Sequence, residues 1–392
     1  MANVNLQQTI DAVPSRGGTI ELGPINYYAD GPLNIRDRRY IRIIGQGRAT
    51  KLIFRTAIDQ ELLADCSGAV EFEMANLDVL RTGGVPRVGF LLGRGVSGSS
   101  ANKMRFTRVH FEADCSVANV VSLGVECDVW DHCTFVTAIP GSWNYVTGKS
   151  NWIGATSPFG PVTGGSNIDH AFRDCHFAHY AKSGTDGNVW LMDGTGYVDI
   201  SGGSWSNKFD DTSPPSSAWE SVALRIGGPV DHHYCYAITL RDLQMETYGV
   251  KNAVDVYGDV RGLRMTGGMY CSQESGLYVR GKLRDSYIAG PMWHSGMALY
   301  DWGTKGRRAT VHVENGWVSD TEIDLRGRWL NRLRRDWPSH ATRQAPEVAI
   351  LASGASHLEQ LDVTAQQAGD VVIDDGVETE NVTVSATHAN GN

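Results

Sequence analysis

No stretch of these 392 residues is apolar for the roughly 20 positions that spanning a bilayer takes. The N-terminus, Met1-Ala-Asn-Val-Asn5, has neither the charged nor the apolar region of a secretion signal. Synthesis and folding in cytosol are therefore expected, unless a leader has been removed. Basic charge is scarce: 35 Lys and Arg face 44 Asp and Glu, a net charge of -9. That balance argues against a duplex nucleic-acid binder, which needs a basic face to neutralise phosphates. Seven cysteines, an odd number, exclude a complete disulfide framework, and no Cys-x-x-Cys spacing offers a zinc site. Gly45-Gln-Gly47 lacks the further glycine and helix of a nucleotide-binding turn. Asp231, His232 and His233 are adjacent, and three successive ligands do not readily face one metal. No cofactor, metal or membrane partner is expected.

What is abundant is glycine, 45 residues, among short runs of alternating apolar and polar side chains. Alternation marks strands with one buried face. Ala253 to Tyr270 and Gly276 to Trp293 are near copies, so that Val254 matches Leu277, Met265 matches Ile288 and Tyr270 matches Trp293, each 23 residues apart. A strand repeat of that length predicts a β-solenoid, in which each coil covers the apolar face of the last. The length then suits one elongated core as well as two or three ordinary domains.

From the N-terminus, Val4, Leu6, Ile10 and Val13 share one face of a helix over residues 3 to 13, which Pro14 to Gly18 ends. An amphipathic helix at an open solenoid end serves as a lid. Leu6-Gln-Gln-Thr-Ile-Asp-Ala12, Gly17-Gly-Thr-Ile-Glu-Leu22, Leu33-Asn-Ile35 and Ile43-Ile-Gly-Gln-Gly47 together resemble the opening of the pectate-lyase-like right-handed parallel β-helix superfamily, which includes phage tailspikes. Where that superfamily usually carries Pro-Pro-Gly-x-Tyr, this chain has Gly23-Pro-Ile-Asn-Tyr27. The resemblance covers about the first 54 residues and implies an all-β fold. It does not choose among the lyases, hydrolases, epimerases and adhesins that share the fold.

Phe111, Phe135, Phe177, Trp205, Met245, Tyr270 and Trp293 form one expected column, with spacings of 24, 42, 28, 40, 25 and 23. The two long spacings imply insertions near residues 138–166 and 206–221, leaving from the same corner. Rigid scaffolds carry binding surfaces on such loops; a subunit contact is the plainer alternative. The organisation expected is a cap over 1–18, a β-helix over 19–325, a basic loop or short helix with six arginines over 326–345, and further coils over 346–392. Leu361 and Val363 match Val382 and Val384 at a period of 21 in that last part. Cys133 and Cys175 fall at equivalent inward positions, as small buried apolar residues.

The same alignment sets Asp131 beside Arg173, His132 beside Asp174, and Thr134 beside His176. Asp131, His132, Arg173, Asp174 and His176 thus become the candidate catalytic patch. Two carboxylates serve glycoside hydrolysis, with crowding raising one pKa; a histidine base beside an arginine serves elimination from uronates. A one-residue slip would turn every one of these side chains to the other face. Trp143, Tyr145, Trp152, Asp210, Asp211, Trp219 and Glu220, in the insertions, are the candidate substrate contacts, rings for sugar faces and acids for hydroxyls. None of the catalytic signatures of pectate lyases or polygalacturonases is present. The reading is a tailspike-like homotrimer, carried on a phage tail with other tail proteins, that binds and degrades a surface polysaccharide. A non-enzymatic receptor-binding tail component and a bacterial pectate-lyase-like enzyme are the alternatives.

Overall fold

The computed structural model describes residues 6–57, 61–94, 101–148, 167–180, 187–192, 194–207, 221–228, 234–247, 250–272, 274–290, 292–294, 309–325, 348–366, 370–374 and 376–387. The chain forms a right-handed parallel β-helix and divides into two compact units. One comprises Met1–Ala181 with Asn188–Asp199; the other comprises Lys182–Gly187 with Ile200–Asn392.

The first unit opens on the helix Leu6–Ala12, shorter than expected, with Leu6 and Ile10 buried. Gln7 does more than cover apolar surface: its Oε1 accepts from the Asn34 amide at 2.8 Å and its Nε2 donates to the Asn34 carbonyl at 3.2 Å. A side-chain amide thus occupies the exposed edge of the short strand Leu33–Asn34, which would otherwise invite another chain. Val4 lies outside the described residues.

Successive coils then pair in parallel. Glu73–Gly83 pairs with Asn102–Glu112, that strand with Glu126–Asp131 and Thr134–Thr137, and those in turn with Ile168–Arg173 and His176–His179. Each coil of this run bends midway at a residue of positive φ, at Asn76 (56°), Arg108 (51°), His132 (53°) and Asp174 (49°), and Lys103, Cys127 and Asp169 take the same conformation near the start of their strands. Asn, Asp and His tolerate this left-handed conformation better than other side chains; Arg108 takes it against a cost of roughly 1–2 kcal/mol. A second sheet runs through Val88–Arg94, Ala118–Leu123 and Trp143–Gly148.

Parallel register puts like on like inside. Trp130 stacks between Phe106 (3.9 Å) and Phe172 (6.2 Å), and Phe135 between Phe111 (5.3 Å) and Phe177 (4.7 Å), with ring planes within 8°. Each fully buried ring of this size contributes about 1.5–3 kcal/mol by leaving water. Cys133 and Cys175 are buried as expected, their thiols donating to the Phe106 and Trp130 carbonyls at 3.4 Å. All seven cysteines are free. Buried amides need partners, and Asn119, Asn144 and Asn188 supply one another: Asn119 Nδ2 donates to Asn144 Oδ1, and Asn144 Nδ2 to Asn188 Oδ1, both at 2.9 Å.

In the second unit the pairs Val254↔Leu277, Met265↔Ile288 and Tyr270↔Trp293 are those read from the repeat. Tyr270 and Trp293 are buried with centroids 5.3 Å apart. The same registry continues through Trp317–Asp324 and His357–Gln366 to Val363↔Val384. Asp255, fully buried, accepts from Arg225 Nε at 2.8 Å and from Arg280 Nε and Nη2 at 3.1 and 2.8 Å. Residues 326–347, which hold the arginine-rich segment, lie outside the described residues.

Candidate functional site

The expected patch lies in the first unit. Asp131 ends one strand and Arg173 ends the next coil's strand, directly opposite. Thr134↔His176 continues the register past the bend, so His132 stands opposite Asp174. The left-handed bend turns both outward while the following cysteines point in. His132 Nδ1 is 2.9 Å from Asp131 Oδ1, and its Nε2 is 3.9 Å from Asp174 Oδ2. One imidazole therefore bridges carboxylates of adjacent coils, all three side chains at least 38% exposed. Arg173 is exposed at the edge of this group and His176 half-buried beside it. In the preceding coil, His110 Nε2 meets Glu112 at 3.1 Å.

Two candidate sugar contacts are corrected. Trp143 and Tyr145 are not rings on an exposed loop; they lie in the strand Trp143–Gly148 and are 1% and 0% exposed. Ala118↔Trp143 and Val120↔Tyr145 make this strand an ordinary part of the coil. Trp143 packs 5.1 Å from Trp190, and the Tyr145 hydroxyl donates to Asp128 at 2.7 Å. The long spacing between Phe135 and Phe177 thus includes a scaffold strand as well as the insertion. The signal available was the 25-residue match of Ala118-x-Val120-x-Ser122 to Trp143-x-Tyr145-x-Thr147. The second insertion is likewise narrower, since Ser206 and Asn207 belong to the strand Ser204–Asn207. Trp152, Asp210, Asp211, Trp219 and Glu220 lie outside the described residues, as do Asp231, His232 and His233.

Behind the patch, inside the same unit, lies a polar group the sequence reading did not single out. His170 Nδ1 is 2.5 Å from Asp128 Oδ1, and both side chains are fully buried. Burial pushes the Asp128 carboxyl up, but the charge and hydrogen bond of His170, with the hydrogen bond from Tyr145, outweigh it and hold the group below its ordinary value. The same burial and the adjoining Asp128 charge push the Tyr145 phenol well up. Thr147 and Asn167 bond each other beside His170, and Asn167 donates onward to Thr195 at 2.9 Å.

Among the described residues of the second unit are two clefts. One, of about 300 Å³, is lined by Lys251, Glu274, Tyr278, His312, Glu314 and Asp374. Tyr278 donates to Glu314, and His312 Nε2 is 3.2 Å from Ser353 Oγ. Burial lowers the His312 pKa and raises that of Tyr278, the latter with help from Glu314. The other is a groove of about 470 Å³ floored by glycines and bordered by Lys282, Trp317 and His357. Among the described residues no group of three His, Cys, Asp or Glu is placed to hold a metal ion, and no helix is long and apolar enough to cross a membrane.

No family model matches the sequence, and no curated protein does. Solved structures do. A tailspike protein mutant of E. coli bacteriophage HK620, in complex with pentasaccharide, aligns at 11% identity and TM-score 0.50 over 97% of this chain and 77% of its own. ORF18 of Geobacillus virus E2 aligns at 10% identity and TM-score 0.42 over 99% of this chain; the match spans only 58% of that protein. The A-module of Azotobacter vinelandii mannuronan C-5 epimerase AlgE4 aligns at 13% identity and TM-score 0.33, over 97% and 93%. With its coils, bends and N-terminal helix, the chain has the right-handed parallel β-helix fold that it shares with the HK620 tailspike.

Proposed function

We propose that the protein is a tailspike-like phage tail component, assembled as a homotrimer, that binds a cell-surface polysaccharide and cleaves it. The observation that carries cleavage is the His132 bridge, which brings the carboxylates of Asp131 and Asp174 to one exposed spot from adjacent coils. In hydrolysis one carboxyl protonates the glycosidic oxygen while the other activates water or attacks the sugar. His132, held to Asp131 at 2.9 Å, fixes that carboxylate and feeds its proton balance. On a uronate, Arg173 would neutralise the sugar carboxylate and His132 or His176 would take the proton, giving β-elimination. The pentasaccharide named with the HK620 tailspike supports a glycan ligand for this fold.

The test is incubation of purified protein with an array of bacterial capsular and O-antigen polysaccharides, reading new reducing ends and ultraviolet absorbance of unsaturated products. Reducing ends without absorbance indicate hydrolysis; both together indicate elimination. Asp174→Asn should lower turnover at least a hundredfold with binding retained. Polysaccharide bound yet unchanged in length after long incubation would leave a receptor-binding tail component instead. Light scattering that gave a monomer would remove the trimer.

A further inference from the structure

The glycine-floored groove of the second unit has no part in that cleavage, and its construction is unusual. Gly258, Gly281 and Gly316 succeed one another at one corner of consecutive coils, since Lys282 N donates to the Gly258 carbonyl and Trp317 N to the Gly281 carbonyl, both at 2.9 Å. None of the three has room for a side chain. A Cβ would fall 2.8 Å from Gly228 backbone at Gly258, 2.2 Å from the Gly258 oxygen at Gly281, and 2.7 Å from the Val279 oxygen at Gly316. The coils therefore touch backbone to backbone here, leaving a channel of about 470 Å³.

Along one bank stands a column of outward side chains, Lys282↔Trp317↔His357, one per coil and about 4.8 Å apart. Trp317 is 39% exposed, a large apolar face left in water. Its ring is nonetheless held: Lys282 Nζ lies 5.8 Å from its centroid, and the His357 ring meets it edge-on at 4.9 Å. At the Lys282 end, Arg284 and Arg261 share the carboxylate of Asp259, which faces Lys282 in the register, so three cations there stand against one anion; at the other end His357 lies 3.0 Å from Glu378 and 3.6 Å from Glu359. The backbone amides along this bank are committed to coil-to-coil hydrogen bonds, which denies a peptide the ladder it would need to add as a strand. A flat ring with an excess of positive charge on its Lys282 side suits a sugar whose acidic neighbour lies on that side.

We propose that this groove binds a strand of acidic polysaccharide, one sugar ring lying on Trp317 and the carboxylate of the adjoining residue meeting Lys282. The inference rests on the polysaccharide reading above and deepens it, naming a uronate-bearing polymer and a holding site separate from the cleaving one.

The experiment uses the full chain on the same array, divided into uronate-bearing and neutral members, with a thymidine oligomer as a stacking anion of another class. Wild type should retain uronate-bearing members; Trp317→Ala and Lys282→Gln should each weaken retention at least tenfold with unchanged urea midpoints. The Lys282→Gln loss should vanish on polysaccharide whose carboxyls have been reduced to alcohols. Equal retention by wild type and both variants, preference for neutral members, or retention of the oligomer alone would overturn the groove assignment. If both groove variants still retain polysaccharide while Asp174→Asn alone abolishes cleavage, the groove proposal falls and the depolymerase reading stands. No retention of any polysaccharide by wild type would bring down both.

Discussion

Asp128 and His170 sit one above the other on successive coils, 42 residues apart in sequence, joined at 2.5 Å with both side chains fully buried. Removing one member of a buried charged or strongly hydrogen-bonded pair strands the other, at a cost of about 3–5 kcal/mol. Asp128→Asn should therefore lower the urea midpoint markedly while the outward patch keeps its geometry. An unchanged midpoint would mean that neutral amide and imidazole satisfy each other equally well.

The same pair gives stability a dependence on acid. Because the native Asp128 carboxyl titrates below its ordinary value, the unfolded chain takes up that proton at higher pH than the folded one. Its contribution is complete above about pH 4 and fades as pH falls through the native value. Denaturation from pH 5 down to pH 2.5 should show wild type losing more than Asp128→Asn, the two curves converging. Parallel curves would assign acid sensitivity to other carboxylates.

Gly276 lies where the Trp293 indole needs space. A Cβ there would stand 2.3 Å from Trp293 Cε3. In the preceding coil the matched positions hold Ala253 and Tyr270, so a larger ring goes with a smaller partner. Gly276→Ala should cost about 1–3 kcal/mol by overpacking. Trp293→Tyr introduced with it should restore part of that loss, with a coupling of about 0.5–3 kcal/mol in a double-mutant cycle. Strict additivity would dissociate the two positions.

Trp143 separates scaffold from ligand contact. Its place in the interior predicts that Trp143→Ala costs about 3–5 kcal/mol. At a temperature where the variant remains folded, polysaccharide affinity should match wild type. A loss of affinity without a loss of stability would return the ring to the binding surface.

The scaffold was legible because it repeats. Val254 and Leu277 announce their pairing by closely similar surroundings, and Asp131, His132, Arg173 and Asp174 follow from the same ruler. Trp143 and Tyr145 were misplaced because spacing between anchors measures length without saying which residues remain in the coil. The interior polar group escaped for another reason. Alternation puts Asp128 inward together with Trp130, yet an acid reads as outward unless its partner is known, and His170 is a whole coil away. The groove was hidden because Gly258, Gly281 and Gly316 look like ordinary turn residues until stacking brings their backbones together.

The unequal coil lengths also bear on how the protein assembles. Closing the step from Asp128 to His170 gathers 42 residues, against 23 from Val254 to Leu277. Loop-closure entropy grows only logarithmically, so the longer excursion costs about half a kcal/mol more. Once a preceding coil offers its ladder edge, a long wait for the next strand is a delay and scarcely a thermodynamic burden. Segments can lengthen or be exchanged at that corner while the registry on either side persists. Such a scaffold lets recognition diverge faster than architecture.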